Sequence, residues 1–221
     1  MKTLSELFYE CAYRGGWTTV HNVDFKFIEH EDKLEIYFQG SNQITDWLDD
    51  FMFGKRPYQD MSIPYKVHRG FLKQWKIVED IIIEKIMERN EATKDYMWKE
   101  ITVVGYSLGG ALAWFCHECC WYHRPDIRDN IFGYGFEAPR VYACWFINKK
   151  LKKRWENFLV IRDNNDIVTY CPPTIFGYRH TSKILKIQGN TDLVDNKLPK
   201  CIKSHYPQVV LSGLHKLEQK K

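Results

Sequence analysis

Nowhere does the 221-residue chain hold the run of about twenty apolar residues that a helix needs to cross a bilayer, so no membrane-spanning segment is expected. Glu6 and Glu10 fall where a secretory leader would carry its apolar stretch, and no signal peptide is expected either. The cysteines number seven, an odd count without compact framework spacing, which excludes a disulfide scaffold and leads to the expectation of a reduced, cytoplasmic protein. Charge of one sign is also scarce: 32 basic and 28 acidic residues are mixed along the chain, leaving +4. That excess is far from the basic stripe of a nucleic-acid binder, so no nucleic-acid partner is expected. Repeats and linkers are missing as well, so residues 1–221 are expected to form one domain.

What the chain does have is core material. Hydrophobic residues make up 44% and aromatics 15%, enough for one sizeable α/β core. The start predicts a short amphipathic helix ending near Gly15 and Gly16. Alternating runs at 24–28 and 33–38 predict an antiparallel hairpin. Ile44, Trp47, Leu48, Phe51 and Met52 recur at helical spacing with Asp46, Asp49 and Asp50 opposite them, and a loop containing Pro57 and Pro64 follows. Phe71, Trp75, Val78, Ile82 and Ile86 mark a long helix that should end near Asn90. Further strands are expected at 131–136, 158–162 and 181–187, with helices over 143–155 and 201–214. The alternation of strands and helices predicts a mixed, mostly parallel sheet flanked by helices.

The stretch that carries chemistry is Glu100 to Ala113. A β-branched run leads into Gly105-Tyr106-Ser107-Leu108-Gly109, and a small-residue segment of helix formers follows. This is the strand, sharp turn and helix that present a nucleophilic serine. A serine hydroxyl needs a base to take its proton and a carboxylate to hold that base. In this arrangement the chain order is serine, acid, histidine, which leaves His180, His205 and His215 as bases; the acid belongs on the loop closing a buried strand, where Asp163 and Asp166 both stand. His68 precedes the serine and is expected to serve structurally. Cys116, His117, Cys119, Cys120 and His123 carry ligand-type side chains, but Cys116 and Cys119 fall on a buried helix face and no second ligand pair has recognisable spacing, so no metal is expected.

Five segments in register give the chain a specific resemblance. Phe38-Gln39-Gly40-Ser41 followed by the Trp47 helix, Val67-His68-Arg69-Gly70-Phe71, Gly105 to Gly110, Ala138-Pro139-Arg140-Val141, and Asn165-Asp166-Ile167-Val168 before Pro172-Pro173 resemble the class 3 lipases. Together they cover residues 35–206. The resemblance implies a single-domain α/β-hydrolase with Ser107 as nucleophile, Asp166 as acid and His205 as base. It implies an oxyanion hole from Ser41 and the backbone N–H of Leu108, and a short lid helix in which Ile44, Trp47, Leu48 and Phe51 meet substrate.

The expected activity is lipid-ester hydrolysis, of the lipase or phospholipase A kind, without a cofactor. The expected partners are a lipid or small ester and, transiently, a lipid surface. The rivals are a short-chain or aromatic-acid esterase or acyltransferase, and a non-catalytic lipid-binding protein on the same fold. The chain departs from the family at Tyr106, where histidine is usual in the fungal enzymes, and at Gln39, where arginine is common. It departs again at Glu137, where glycine is common, and at Pro207, which interrupts the usual His-x-x-Tyr run.

Overall fold

A computed structural model describes residues 2–40, 54–58, 65–195 and 197–220. Helix α1 (Leu4–Ala12) opens on a capping box in which the Thr3 hydroxyl accepts the Glu6 N–H and the Glu6 carboxylate accepts the Thr3 N–H. Strands β1 (Thr18–Val20), β2 (Val23–Glu29) and β3 (Lys33–Phe38) are antiparallel neighbours. From β3 onward the sheet turns parallel through β6 (Glu100–Tyr106), β7 (Ile131–Phe136), β8 (Phe158–Asp163) and β9 (Lys183–Ile187). The spatial order is β1-β2-β3-β6-β7-β8-β9, while β4 (Lys55–Tyr58) and β5 (Tyr65–His68) pair in a separate ribbon.

Strand β6 is apolar nearly throughout because both of its faces are covered. Ile101 and Val103 join the core that includes Trp75 on α2 (Arg69–Ile86) and Phe115 on α3 (Leu108–His123). Val104 and Tyr106 face the other way, where Phe8 of α1 and Val210 and Leu214 of α6 (Pro207–Glu218) cover them. Each such fully buried large side chain stabilises the fold by roughly 1.5–3 kcal/mol relative to exposure. Arg124 locks the far end of this layer: its guanidinium is buried and donates to the carbonyls of Ile86, at the end of α2, and of Trp98. Orphan carbonyls at a helix C-terminus are thereby satisfied.

Several elements differ from expectation for identifiable reasons. The segment around Pro57 forms β4 because its proline stands in a two-stranded ribbon, where a missing N–H is tolerated. The helix expected over 143–155 shrinks to α4 (Lys149–Lys152) and a 3₁₀ turn at Lys153–Trp155. Tyr142 bridges both Val67 and Arg179, and the Ala143 N–H donates to Lys66, so sheet-like pairing takes the backbone that a helix would need. The tail divides into α5 (Lys200–Lys203) and α6, with Pro207 at the first position of α6, where its missing N–H costs nothing. Helix α2 ends at Ile86, short of Asn90.

His117 on α3 is only 1% exposed, and burial lowers its pKa from 6.5 to about 4. The unfolded chain therefore binds more protons than the folded one between these values, so stability is lost as pH falls through that window. At 1.36 kcal/mol per pKa unit, the loss reaches about 3 kcal/mol. Urea unfolding should show a lower midpoint at about pH 4.5 than at about pH 7, and a smaller drop in His117→Gln. Equal drops in the two proteins would remove His117 as the cause.

Candidate active site

Ser107 occupies a backbone turn with φ 56° and ψ −124°, a region that L side chains rarely adopt. The turn exists because its flanking positions carry no side chain. A Cβ on Gly105 would lie 2.0 Å from the Gly109 carbonyl oxygen, and one on Gly109 would lie 2.3 Å from that of Phe38. Strand and helix can then approach closely enough to force the serine outward at the carboxyl end of β6. Leu108 is the first residue of α3, and the first N–H groups of a helix lack intrahelical acceptors.

His205 lies in the short connection between α5 and α6. Its Nε2 is 2.8 Å from Ser107 Oγ and its Nδ1 is 2.6 Å from Asp166 Oδ2. All three side chains are 0% exposed. The histidine is held from two further directions. The Tyr106 hydroxyl donates to its backbone carbonyl, and the Tyr106 ring stacks on the imidazole at 5.3 Å and 24°. Asp166 is also fixed: its Oδ1 accepts the Val168 N–H at 2.9 Å, its backbone carbonyl accepts the Thr169 hydroxyl, and the N–H of the next residue, Ile167, donates to the Cys201 carbonyl in α5. The acid loop and the histidine loop are thus tied to each other.

The other residues singled out in the sequence lie elsewhere. Asp163, also 0% exposed, accepts from Asn165 and from the Gly189 N–H, and so closes its turn onto the chain leaving β9. His180 meets the Thr169 carbonyl at 2.9 Å and braces the acid loop from behind. His215 is exposed on α6. His68 caps α2, its Nδ1 accepting the Phe71 N–H. Cys116, Cys119 and Cys120 are buried thiols, and among the described residues no group of three or more His, Cys, Asp or Glu could hold a metal ion. Ser41, Ile44, Trp47, Leu48 and Phe51 lie outside the described residues. Gly40, next to Ser41, abuts Ser107, since a Cβ on it would meet Ser107 Cβ at 3.1 Å.

Two of the departures from the family take structural roles at this site. Tyr106 clamps His205. Glu137 is fully buried at φ +47° and accepts the Asp163 N–H at 2.7 Å. The available signal was a charged residue at a position that ordinarily takes glycine.

With this geometry in view, the model of the family described as Lipase (class 3) matches residues 35–176, more than half of the chain. The chain belongs to the class 3 lipase family. This class 3 lipase-family chain is 29% identical over 164 residues to a lipase of Rhizomucor miehei, covering 74% of the chain and 44% of that relative. It is 29% identical over 157 residues to secreted mono- and diacylglycerol lipase 1 of Fusarium solani, covering 71% of the chain and again 44% of the relative. The chain therefore spans less than half the length of these two curated relatives. A solved structure of the Rhizomucor miehei triacylglyceride lipase superposes with TM-score 0.68 at 21% identity, covering 89% of this chain and 80% of that one. That likeness shows the α/β-hydrolase fold. One expectation is overturned: the Fusarium solani relative is named as secreted, which points to an extracellular rather than a cytoplasmic setting.

Proposed function

We propose that this chain is a serine carboxylester hydrolase acting on lipid esters, built as one hydrolase unit across residues 1–221. The observation that carries the reading is the continuous hydrogen-bonded line from Ser107 Oγ through His205 to Asp166, at 2.8 and 2.6 Å. Such a line lets a weak nucleophile react at neutral pH. Ser107 attacks the ester carbonyl while His205 Nε2 takes its proton, and Asp166 holds the imidazole in orientation and stabilises its cation. The Leu108 N–H, with Ser41, receives the charge that grows on the carbonyl oxygen. His205 then protonates the departing alcohol, and water repeats the sequence to free the acid. Side chains, backbone N–H groups and water carry every step.

The lipid character of the substrate is supported by family membership and by the relatives, whose names describe lipases. Because Ser107 is 0% exposed, turnover requires an opening. The segment containing Ile44, Trp47, Leu48 and Phe51 is proposed as the cover that meets acyl chains and, when open, a lipid surface.

Fluorophosphonate labelling, with hydrolysis of p-nitrophenyl butyrate and palmitate, tests the reading. Wild type should label and should turn over the esters. Ser107→Ala should lose labelling and on the order of 10⁶-fold in kcat. A folded wild type that neither labels nor hydrolyses either ester, even with detergent present, would overturn it in favour of a lipid-binding protein.

A further inference from the structure

Three carboxyl groups are buried together behind His205. Asp163, Asp166 and Glu137 are all 0% exposed. The first two have their donors: the Asn165 and Gly189 amides for Asp163, and the Val168 N–H and His205 for Asp166. Both are therefore served as carboxylates, with acceptor capacity remaining, because each carboxylate oxygen takes two donors. Glu137 differs. Its Oε1 accepts the Asp163 N–H at 2.7 Å, whereas its Oε2 is buried without a partner of ordinary geometry among the described residues. The Asp166 carboxyl is the neighbouring charge that bears on it most.

An ionised Glu137 would leave Oε2 as a buried acceptor with no donor, facing a second negative charge. A protonated Glu137 resolves both problems, because Oε2–H becomes a donor and Asp166 the acceptor. Burial first, then the neighbouring charge of Asp166 and the hydrogen bond with it, pushes the Glu137 carboxyl well above the ordinary range. The groups facing this cluster are Asp163 and Asp166 at and beyond the end of β8, Tyr106 on β6, and His205 between α5 and α6. Backbone geometry adds an independent sign. Glu137 sits at φ +47°, where glycine would be unstrained and a side chain is not, so the fold tolerates strain to keep this carboxyl in place.

We propose that Glu137 is a protonated carboxylic acid that donates to Asp166, and that this acid–carboxylate pair, rather than Asp166 alone, faces His205. Glu137 is then a positioning residue: it touches neither substrate nor the reacting atoms. The inference rests on the esterase reading for its kinetic consequence but not for its chemistry. By sharing the charge of Asp166, the pair weakens the pull on the imidazolium that forms during turnover and fixes the carboxylate plane. No bond is made or broken, and the proton stays between two carboxyl oxygens.

The test compares Glu137→Gln, whose amide keeps both an acceptor for the Asp163 N–H and a donor for Asp166, with Glu137→Leu, which is of similar size and offers neither. Infrared difference spectra of wild type against Glu137→Gln should contain the C=O band of a buried protonated carboxylic acid at neutral pH. In kinetics, Glu137→Gln should keep the acidic limb of the kcat/KM profile. Glu137→Leu should move that limb upward by about one pH unit, the scale of coupling between interacting sites. A purely structural role would lower the folded fraction of Glu137→Leu without moving the limb of the remaining active protein, which would overturn the proposal. Absence of the infrared band from wild type would overturn it whatever the activity. If folded wild type hydrolysed no ester but kept the band, the esterase reading would fail while the protonated pair stood.

Discussion

His205→Ala is expected to lower kcat for ester hydrolysis on the order of 10⁶-fold, while His180→Ala should stay within about tenfold of wild type. The contrast follows from geometry. His205 touches both Ser107 Oγ and Asp166, so its loss leaves the serine without a base and Asp166 Oδ2 without its imidazole partner. His180 makes its one described contact with the Thr169 carbonyl. Removing it should cost about 1 kcal/mol of stability, the net worth of a typical hydrogen bond, and should show mainly in the melting temperature. Steady-state kinetics on a p-nitrophenyl ester with both variants, each checked for folding by circular dichroism, measures this directly. A collapse in His180→Ala matching that in His205→Ala would reject the assignment.

Arg154→Met should be the most destabilising of the substitutions considered, by about 3–5 kcal/mol, because it strands a charge in the core. Glu118 is 0% exposed and Arg154 is 3% exposed, and the guanidinium Nη1 donates to Glu118 Oε1 between α3 and the turn before β8. Burial already raises the Glu118 pKa, and Arg154 is the largest influence opposing it. A folded state that binds a proton more tightly than the unfolded one loses stability as pH rises from the ordinary carboxylate range through the raised value. In Arg154→Met the opposing charge is gone, so the defect should be largest at neutral pH and should shrink on acidification. Calorimetry should show a melting temperature lower by about 10 °C at neutral pH. The double variant Glu118→Leu with Arg154→Met should recover most of that loss, since a buried pair replaced by apolar groups is often neutral. A double variant no more stable than the single one would show that packing, not the stranded charge, is responsible.

Local chemistry in the sequence determined much of this molecule. The β-branched run before Gly105 and the glycines flanking Ser107 demand a strand, a strained turn and a helix in that order, because no other residues permit the 2.0 Å approach at Gly105. The alternation at 24–38 gave the hairpin and the buried runs gave the parallel strands, since side-chain period reports which faces are covered. Chain order confined the base to three histidines, the loop closing a buried strand offered two aspartates, and family resemblance selected among them.

Only the tertiary structure decided the rest. Whether Asp163 or Asp166 meets a histidine depends on how the turn after β8 packs against the α5–α6 connection, and three positions of separation in that turn set one carboxylate on the Gly189 N–H and the other on His205. The extended path of Tyr142 overrode local helix propensity because its partners, Val67 and Arg179, come from distant segments. Tyr106 clamps a histidine 99 positions away, and Glu137 lies against an aspartate far along the chain. Sequence periodicity encodes which face of an element is buried, but not which long-range neighbour will be found there, and it is that neighbour that turns a tyrosine into a clamp and sets a buried glutamate beside Asp166.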